Sequence, residues 1–369
     1  MASENASAER NGGLDGACAP ENSAGDRMLS EIREQPSAIA RCLDENHDTA
    51  RAVAEEIRRR DIRYAIIAAR GTSDHAAVYA KYMMEIAAGI PVALAAPSVW
   101  TLYGGKMDLR NAMVIGVSQS GAGPDIVEVI EQAREQGALT VGVTNFGDSL
   151  LADAADDVLL LHAGMEMSVA ATKTYTTSLA ALGLLIAQLG RSSGYENALR
   201  EVPGQIEQVL GIADEVRQIS ERYRYMEDCM VVARGINQCT AQEAALKLAE
   251  TNYLVTHAYS GADFQHGPIA VVSPGFPCML FNPEGKAHDL LLELSAKLKE
   301  RGAERLMIAH DEASLSASEY GIRIPVKVAE ETSPLVYIVA GQMFAYCLAR
   351  HKGYDPDKPR GLNKVTKTR

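Results

Sequence analysis

Val114-Ile-Gly-Val-Ser-Gln-Ser-Gly121 reads as a buried strand that runs into a polar turn, with a helical stretch starting near Asp125. In an open α/β sheet, ligands bind just beyond the carboxyl ends of the strands. A helix N-terminus placed there turns backbone N–H groups and the positive end of its dipole towards an anion. Ser118, Gln119 and Ser120 add hydroxyl and amide donors, and Gly121 lets the backbone come close. The pattern suits a phosphate monoester held without arginine. An ordinary turn with Ser120 as a helix cap fits the same four residues, so on them alone both readings stay open.

The surrounding chain repeats itself. Strand-like runs fall at 64–69, 114–117, 139–143 and 158–161, and again at 230–233, 278–281, 306–309 and 322–328. Ala69-Arg70-Gly71 recurs as Ala233-Arg234-Gly235, an offset of 164 residues. Ser118 and Asn282 each follow the next strand at that same offset of 164, and Gly137-Ala138 recurs at 165 as Gly302-Ala303. Constant offsets predict two copies of one unit. Strands alternating with helices predict an α/β fold: two tandem doubly wound parallel sheets, each a three-layer αβα sandwich. The expected bounds are a disordered tail over 1–26, a phosphate-binding domain over 27–195, a catalytic domain over 196–350 and a tail over 351–369. A linking helix is expected at about 190–222.

The copies differ at the turns. The first keeps Gly71-Thr72-Ser73 and Ser118-Gln119-Ser120-Gly121; the second has Gly235-Ile236-Asn237 and Asn282-Pro283-Glu284-Gly285. Only the first retains a phosphate cradle.

A formal net charge of −12 argues against nucleic acid and anionic membrane surfaces as partners. The six cysteines form no Cys-x-x-Cys pair, which speaks against zinc and redox motifs and leaves buried thiols. No signal peptide is visible, and the apolar run 179–189 is too short to span a membrane. A cytoplasmic protein is expected.

Glu243, Lys247 and Glu250 share one face of a helical segment. On that spacing alone a solvated ion-pair ladder is the favoured reading. His266, before Gly267-Pro268 in a loop, is poised rather than packed. The final stretch from Asp355 has no apolar period, yet Pro356, Pro359 and Gly361 restrict its path.

Taken in order, Arg70-Gly-Thr-Ser73, Ser118-Gln-Ser-Gly121, Val169-Ala-Ala-Thr-Lys173, Glu243…Lys247…Glu250, Gln265-His-Gly-Pro268 and Pro359-Arg-Gly-Leu-Asn-Lys364 resemble the sugar isomerase (SIS) family. The likeness is to the isomerase half of glutamine–fructose-6-phosphate amidotransferases, and it runs from about residue 28 to the end. It implies that Ser73, Ser118, Gln119 and Ser120 hold a sugar phosphate, with Thr72, Gly123, Val169 and Asn363 around the substrate. It implies that Glu250 moves a proton between C1 and C2, that His266 opens the sugar ring from the neighbouring subunit of a homodimer, and that Lys364 closes over the substrate. Lys247 matches a further active-site lysine. No cofactor and no metal is implied. Such a proton shift asks for a carboxylate poised near neutrality, which burial under the tail would favour.

The departures matter as much. Gly123 and Ala171 stand where the family has hydroxyls, and Ala122 replaces an acid, so the cradle must lean on backbone N–H groups. No N-terminal cysteine of a glutaminase is present. Pro124-Asp125 and Arg360-Gly-Leu-Asn-Lys-Val-Thr look more like stand-alone SIS deaminases. The expected activity is therefore deamination and isomerisation of glucosamine 6-phosphate to fructose 6-phosphate and ammonia. The alternatives are a galactosamine- or fructosamine-6-phosphate deaminase, ammonia-dependent glucosamine-6-phosphate synthesis, and a non-catalytic sugar-phosphate sensor.

Overall fold

The computed structural model describes residues 26–364. The tail expected over 1–26 lies outside them except for Asp26, which opens the helix Asp26–Arg33. The last five residues of the expected C-terminal tail also lie outside.

Among the described residues, ten strands form two parallel sheets of five. In chain order they are β1 (Tyr64–Ala68), β2 (Val92–Leu94), β3 (Ala112–Val117), β4 (Leu139–Thr144), β5 (Asp157–Leu160), β6 (Asp228–Ala233), β7 (Val255–Ser260), β8 (Pro277–Phe281), β9 (Glu304–Ala309) and β10 (Tyr320–Arg323). The first sheet has the order β2-β1-β3-β4-β5 and the second the order β7-β6-β8-β9-β10. The topologies are identical, as duplication requires.

Central strands covered on both faces need apolar side chains on both. All six residues of β3 are buried. Successive side chains point to opposite faces. Met113, Ile115 and Val117 enter one apolar cluster, whereas Val114 enters another against Trp100 and Ile130. In the second sheet Met279 and Phe281 face inward, and Cys278 and Leu280 face outward. Each sheet thus has its own outer core. The inner cluster is common to both and runs from Met28 to Leu348.

Three expectations need correction. The edge strands β2 and β7 escape the sequence pattern: β2 is three residues long, and β7 is half-exposed along its length. The run expected at 322–328 is a strand only to Arg323; Ile324 and Val328 are buried outside the ladder. A helical run over Glu330–His351 does have the length and apolarity of a membrane span, where none was expected. Its apolar centre is buried inside the protein, where the helix Ser333–His351 packs on Gln238–Asn252 and Ala213–Arg222. The linking region is two helices, Ser193–Leu210 and Ala213–Arg222. Among the described residues, the five cysteines are free and buried, so they act as small apolar side chains.

Candidate active site

Chain order reverses between β1 and β3, so the segments after these two strands diverge and leave a crevice at their carboxyl ends. After β1 comes Arg70-Gly71-Thr72-Ser73, where the helix Thr72–Met83 begins. After β3 comes Ser118-Gln119-Ser120-Gly121. The Ser118 N–H donates to Val143 O at 3.0 Å, and the Gly121 N–H donates to Ser118 O at 3.1 Å, closing a tight turn. Gly121 has φ +61°, and a Cβ there would sit 2.1 Å from Ser149 Oγ and 2.8 Å from Thr144 Oγ1. Only glycine fits.

The helix Pro124–Glu135 follows, with Gly123 at its N-cap and no side-chain cap. The Ser120 hydroxyl instead accepts from the Ala122 N–H at 3.3 Å. Ser120 is therefore not the helix cap.

These segments wall a cavity of about 330 Å³. Of the residues expected at the site, Thr72, Ser73, Ser118, Gln119, Ser120, Gly123, Val169, Glu250, Asn363 and Lys364 all line it. Two do not. Lys247 lies behind the wall with its side chain fully buried. His266 is exposed at the end of the short helix Gly261–Gln265.

Glu250 reaches the cavity from the helix Gln238–Asn252, which packs against Thr72–Met83 across the two halves. Lys247 Nζ lies 2.6 Å from Glu250 Oε2 and 3.3 Å from Glu243 Oε1. Burial alone would lower the Lys247 pKa, but Glu243 and Glu250 outweigh it and hold the ammonium above its ordinary value. Burial would likewise raise Glu243, yet Lys247 and His75 hold it below the usual carboxylate range. The ladder is therefore not a solvated face: Glu243 and Lys247 have no exposed side-chain surface. A buried ion pair costs desolvation, and losing one partner leaves an uncompensated charge.

The C-terminal segment forms the other wall. Asp357 accepts the N–H groups of Arg27 at 3.1 Å and Met28 at 2.8 Å. Arg360 lies over the Tyr253 ring at 4.1 Å. Lys364 Nζ donates to Glu166 Oε2 at 2.6 Å and to Ser168 O at 2.7 Å. Burial would raise Glu166, but the Lys364 ammonium holds it low. Glu31, buried beside it, is pushed up to about 7 by its own burial and by the Glu166 charge, against the N–H groups of Met167 and Ser168 that it accepts.

Sequence reasoning misses four of these groups. Glu31 and Glu166 carry no spacing signal, since they meet only through the fold. His75, with Nδ1 2.7 Å from Glu243 Oε2, stands one turn beyond Thr72 and belongs to no motif. Arg70 belongs to a motif that assigns it no role; its Nε pairs with buried Asp125 at 2.9 Å on the cavity rim.

The matching turn in the second half is occupied by the protein itself. A Cβ at Gly285 would sit 2.4 Å from Glu330, whose carboxylate accepts the Lys286 N–H at 3.0 Å. The Asn282 amide donates to Ser314 Oγ at 3.0 Å. Glu284 and Asp311 lie close to Tyr337 at this end of the sheet, so the second half has carboxylates where the first half has Ser118, Gln119 and Ser120.

The SIS domain profile matches residues 45–188 and again 227–352. The isomerizing glutamine–fructose-6-phosphate aminotransferase of Pyrococcus horikoshii is 37% identical over 343 residues, which is 91% of this chain and 57% of that protein. That of Halobacterium salinarum is 32% identical over 352 residues, 91% of this chain and 58% of that protein. The chain thus spans under two thirds of the length of these curated relatives. Among solved structures, the C-terminal domain of glucosamine–fructose-6-phosphate aminotransferase from Francisella tularensis superposes with TM-score 0.82 at 27% identity, covering 92% of this chain and 100% of that one. A glucosamine-6-phosphate deaminase from Thermotoga maritima superposes with TM-score 0.73 at 21% identity, covering 93% and 100%, a likeness of fold.

Proposed function

The chain belongs to the SIS domain family, with two such domains in tandem, and on that premise we propose that it interconverts glucosamine 6-phosphate with fructose 6-phosphate and ammonia. The observation that carries this reading is one shared cavity. It brings Ser118, Gln119, Ser120, Ser73 and Thr72 together with Glu250 and the Lys364 amine. An anionic handle held by the first group fixes the carbonyl end of a short sugar against the second, so remote binding serves orientation.

In the aminating direction, ammonia adds to C2 of open-chain fructose 6-phosphate and water leaves, giving the C2 imine. Glu250 takes a proton from C1 and returns one to C2, while the imine nitrogen gains a proton and the 1-hydroxyl loses one, which yields the amino aldose. Deamination is the reverse, with the imine hydrolysed to ketose and ammonia. Lys364 faces the carbonyl end. His266 serves ring opening from a second subunit of a homodimer.

The curated relatives are isomerizing aminotransferases, which supports amination as the first reading. Deamination, the direction the sequence motifs favour, is the second. Pro124 opening the helix and Asp125 bound to Arg70 are the features that speak for it.

The test is direct. The full chain is given glucosamine 6-phosphate, and ammonia is measured; it is then given fructose 6-phosphate with ammonium, and glucosamine 6-phosphate is measured. The two rates assign direction, and galactosamine and fructosamine 6-phosphates assign the sugar. Glu250→Gln is expected to lower turnover about 10²–10⁴-fold while sugar-phosphate binding persists. Near-normal turnover of that variant removes Glu250 from the proton transfer. An inert wild-type chain that still binds the sugar phosphates supports the sensor instead.

A further inference from the structure

Four charged or polar groups form one chain behind the cavity wall. His75 Nδ1 lies 2.7 Å from Glu243 Oε2. Glu243 Oε1 accepts from Thr72 Oγ1 at 3.1 Å and lies 3.3 Å from Lys247 Nζ. Lys247 Nζ in turn lies 2.6 Å from Glu250 Oε2. Glu243 and Lys247 are fully buried, His75 is 17% exposed, and Glu250 is 22% exposed at the cavity. The first and last members sit on helices of different halves, Thr72–Met83 and Gln238–Asn252.

We propose that His75 is a positioning residue: through Glu243 it holds Lys247, and through Lys247 it holds Glu250 at the cavity wall. This rests on Glu250 being the proton carrier of the proposed reaction.

Competition between partners sets the arrangement. Both oxygens of Glu243 are engaged, one by His75 and the other by Thr72 and Lys247. Lys247 is drawn by two carboxylates and sits closer to Glu250. Removing His75 strips one donor from a carboxylate that has no access to water. The nearest cation able to compensate is Lys247, and an unpaired buried charge is costly enough to draw it over. Glu250 then loses its 2.6 Å partner and its fixed place. Thr72 keeps its bond to the other Glu243 oxygen and its place on the cavity wall. The bland alternative is a structural ion pair that tightens the contact between halves. That role affects stability without separating kcat from KM.

The experiment compares wild type with His75→Ala, His75→Asn, Glu243→Gln and the double variant His75→Ala/Glu243→Gln, in whichever direction the wild type turns over. His75→Ala is expected to lower kcat roughly tenfold or more, the loss typical when an outer partner of a working group is removed. KM is expected to stay within about twofold, because the phosphate cradle is untouched. His75→Asn restores a donor to Glu243 and is expected to recover part of the rate, which keeps the test open should His75→Ala fold poorly. The double variant is expected to be no worse than Glu243→Gln alone, since both act on one link. Full kcat in His75→Ala, additive losses in the double variant, or a lowered melting point with unchanged kcat each overturn the positioning role and leave the proposed function standing. A wild-type chain inert in both directions overturns both.

Discussion

Glu31 and Glu166 show what one pair of side chains does to the closing segment. They are two buried carboxyls with a single ammonium, Lys364, between them and the cavity. Lys364 bonds to Glu166, so Glu166 keeps its charge and Glu31 is the one that holds a proton, up to about 7. The sign of the pH effect follows. At low pH Glu31 is protonated in folded and unfolded chains alike and contributes nothing. As pH rises from about 4.5 towards 7, the unfolded chain gives up this proton and the folded chain keeps it, so stability falls. Above 7 both are ionised, and the folded protein carries the whole penalty, on the order of 3 kcal/mol. Glu31→Gln still accepts from Met167 and Ser168 but never ionises. Its stability relative to wild type is expected to rise between pH 5 and pH 8. Unfolding in denaturant at both pH values measures it, and parallel curves would show that Glu31 carries no such burden. These two residues are 135 positions apart, so no spacing rule links them. Glu250, by contrast, was legible through the family resemblance, since its spacing from Glu243 and Lys247 on one helical face alone favoured a solvated ladder. That face turned out buried rather than solvated because the Thr72–Met83 helix of the other half lies against it, which no local pattern records.

At the scale of elements, the cradle is a strand, a turn and a helix start, and each was readable for its own reason. β3 declared itself by an unbroken apolar run, and Gly121 by the left-handed turn that must follow. The turn's side chains reach the cavity, but the helix behind it begins uncapped. Gly123 has φ −71° and ψ 109°, the extended geometry that a serine N-cap adopts. A Cβ there meets nothing closer than Asp125 Oδ1 at 3.4 Å. Gly123→Ser therefore fits without strain, caps the helix and brings a hydroxyl to the cavity wall. We expect a gain of roughly a few tenths of a kcal/mol in stability and a KM for sugar phosphate lowered by several-fold, with kcat little changed. Michaelis constants of the two proteins decide it; an unchanged or raised KM places the phosphate away from this turn. The edge strands β2 and β7 were not readable, because a short or half-exposed strand lacks the apolar run that marks the central ones.

For the whole molecule, the repeat offsets pointed to two α/β units, and the matched strand orders bear this out. They left open how far the units depend on each other. The distribution of apolar clusters answers that. The outer faces have separate cores, one around Trp100, Ile126 and Ile130 and one around Phe264, Leu280 and Leu294. The inner faces share one core, built from Met28, Leu179 and Tyr175 as much as from Phe281, Val336 and Phe344. Splitting the halves would expose that inner core on both sides, and the return of apolar surface to water is what most strongly opposes unfolding. The Asp357 bonds to Arg27 and Met28 add a further tie between the two ends of the described chain. Cooperative loss of both halves is thus expected in place of stepwise melting. Trp100 makes this measurable. It is the only tryptophan in the sequence, is 3% exposed, and sits in the outer core of the first half alone. Its fluorescence reports that half, whereas far-ultraviolet circular dichroism reports the helices of both. If the shared inner core couples them, the two thermal transitions coincide. A tryptophan transition several degrees away from the dichroism midpoint would mean that the first half unfolds by itself, and the active site, whose walls come from both halves, would then be lost before the chain as a whole.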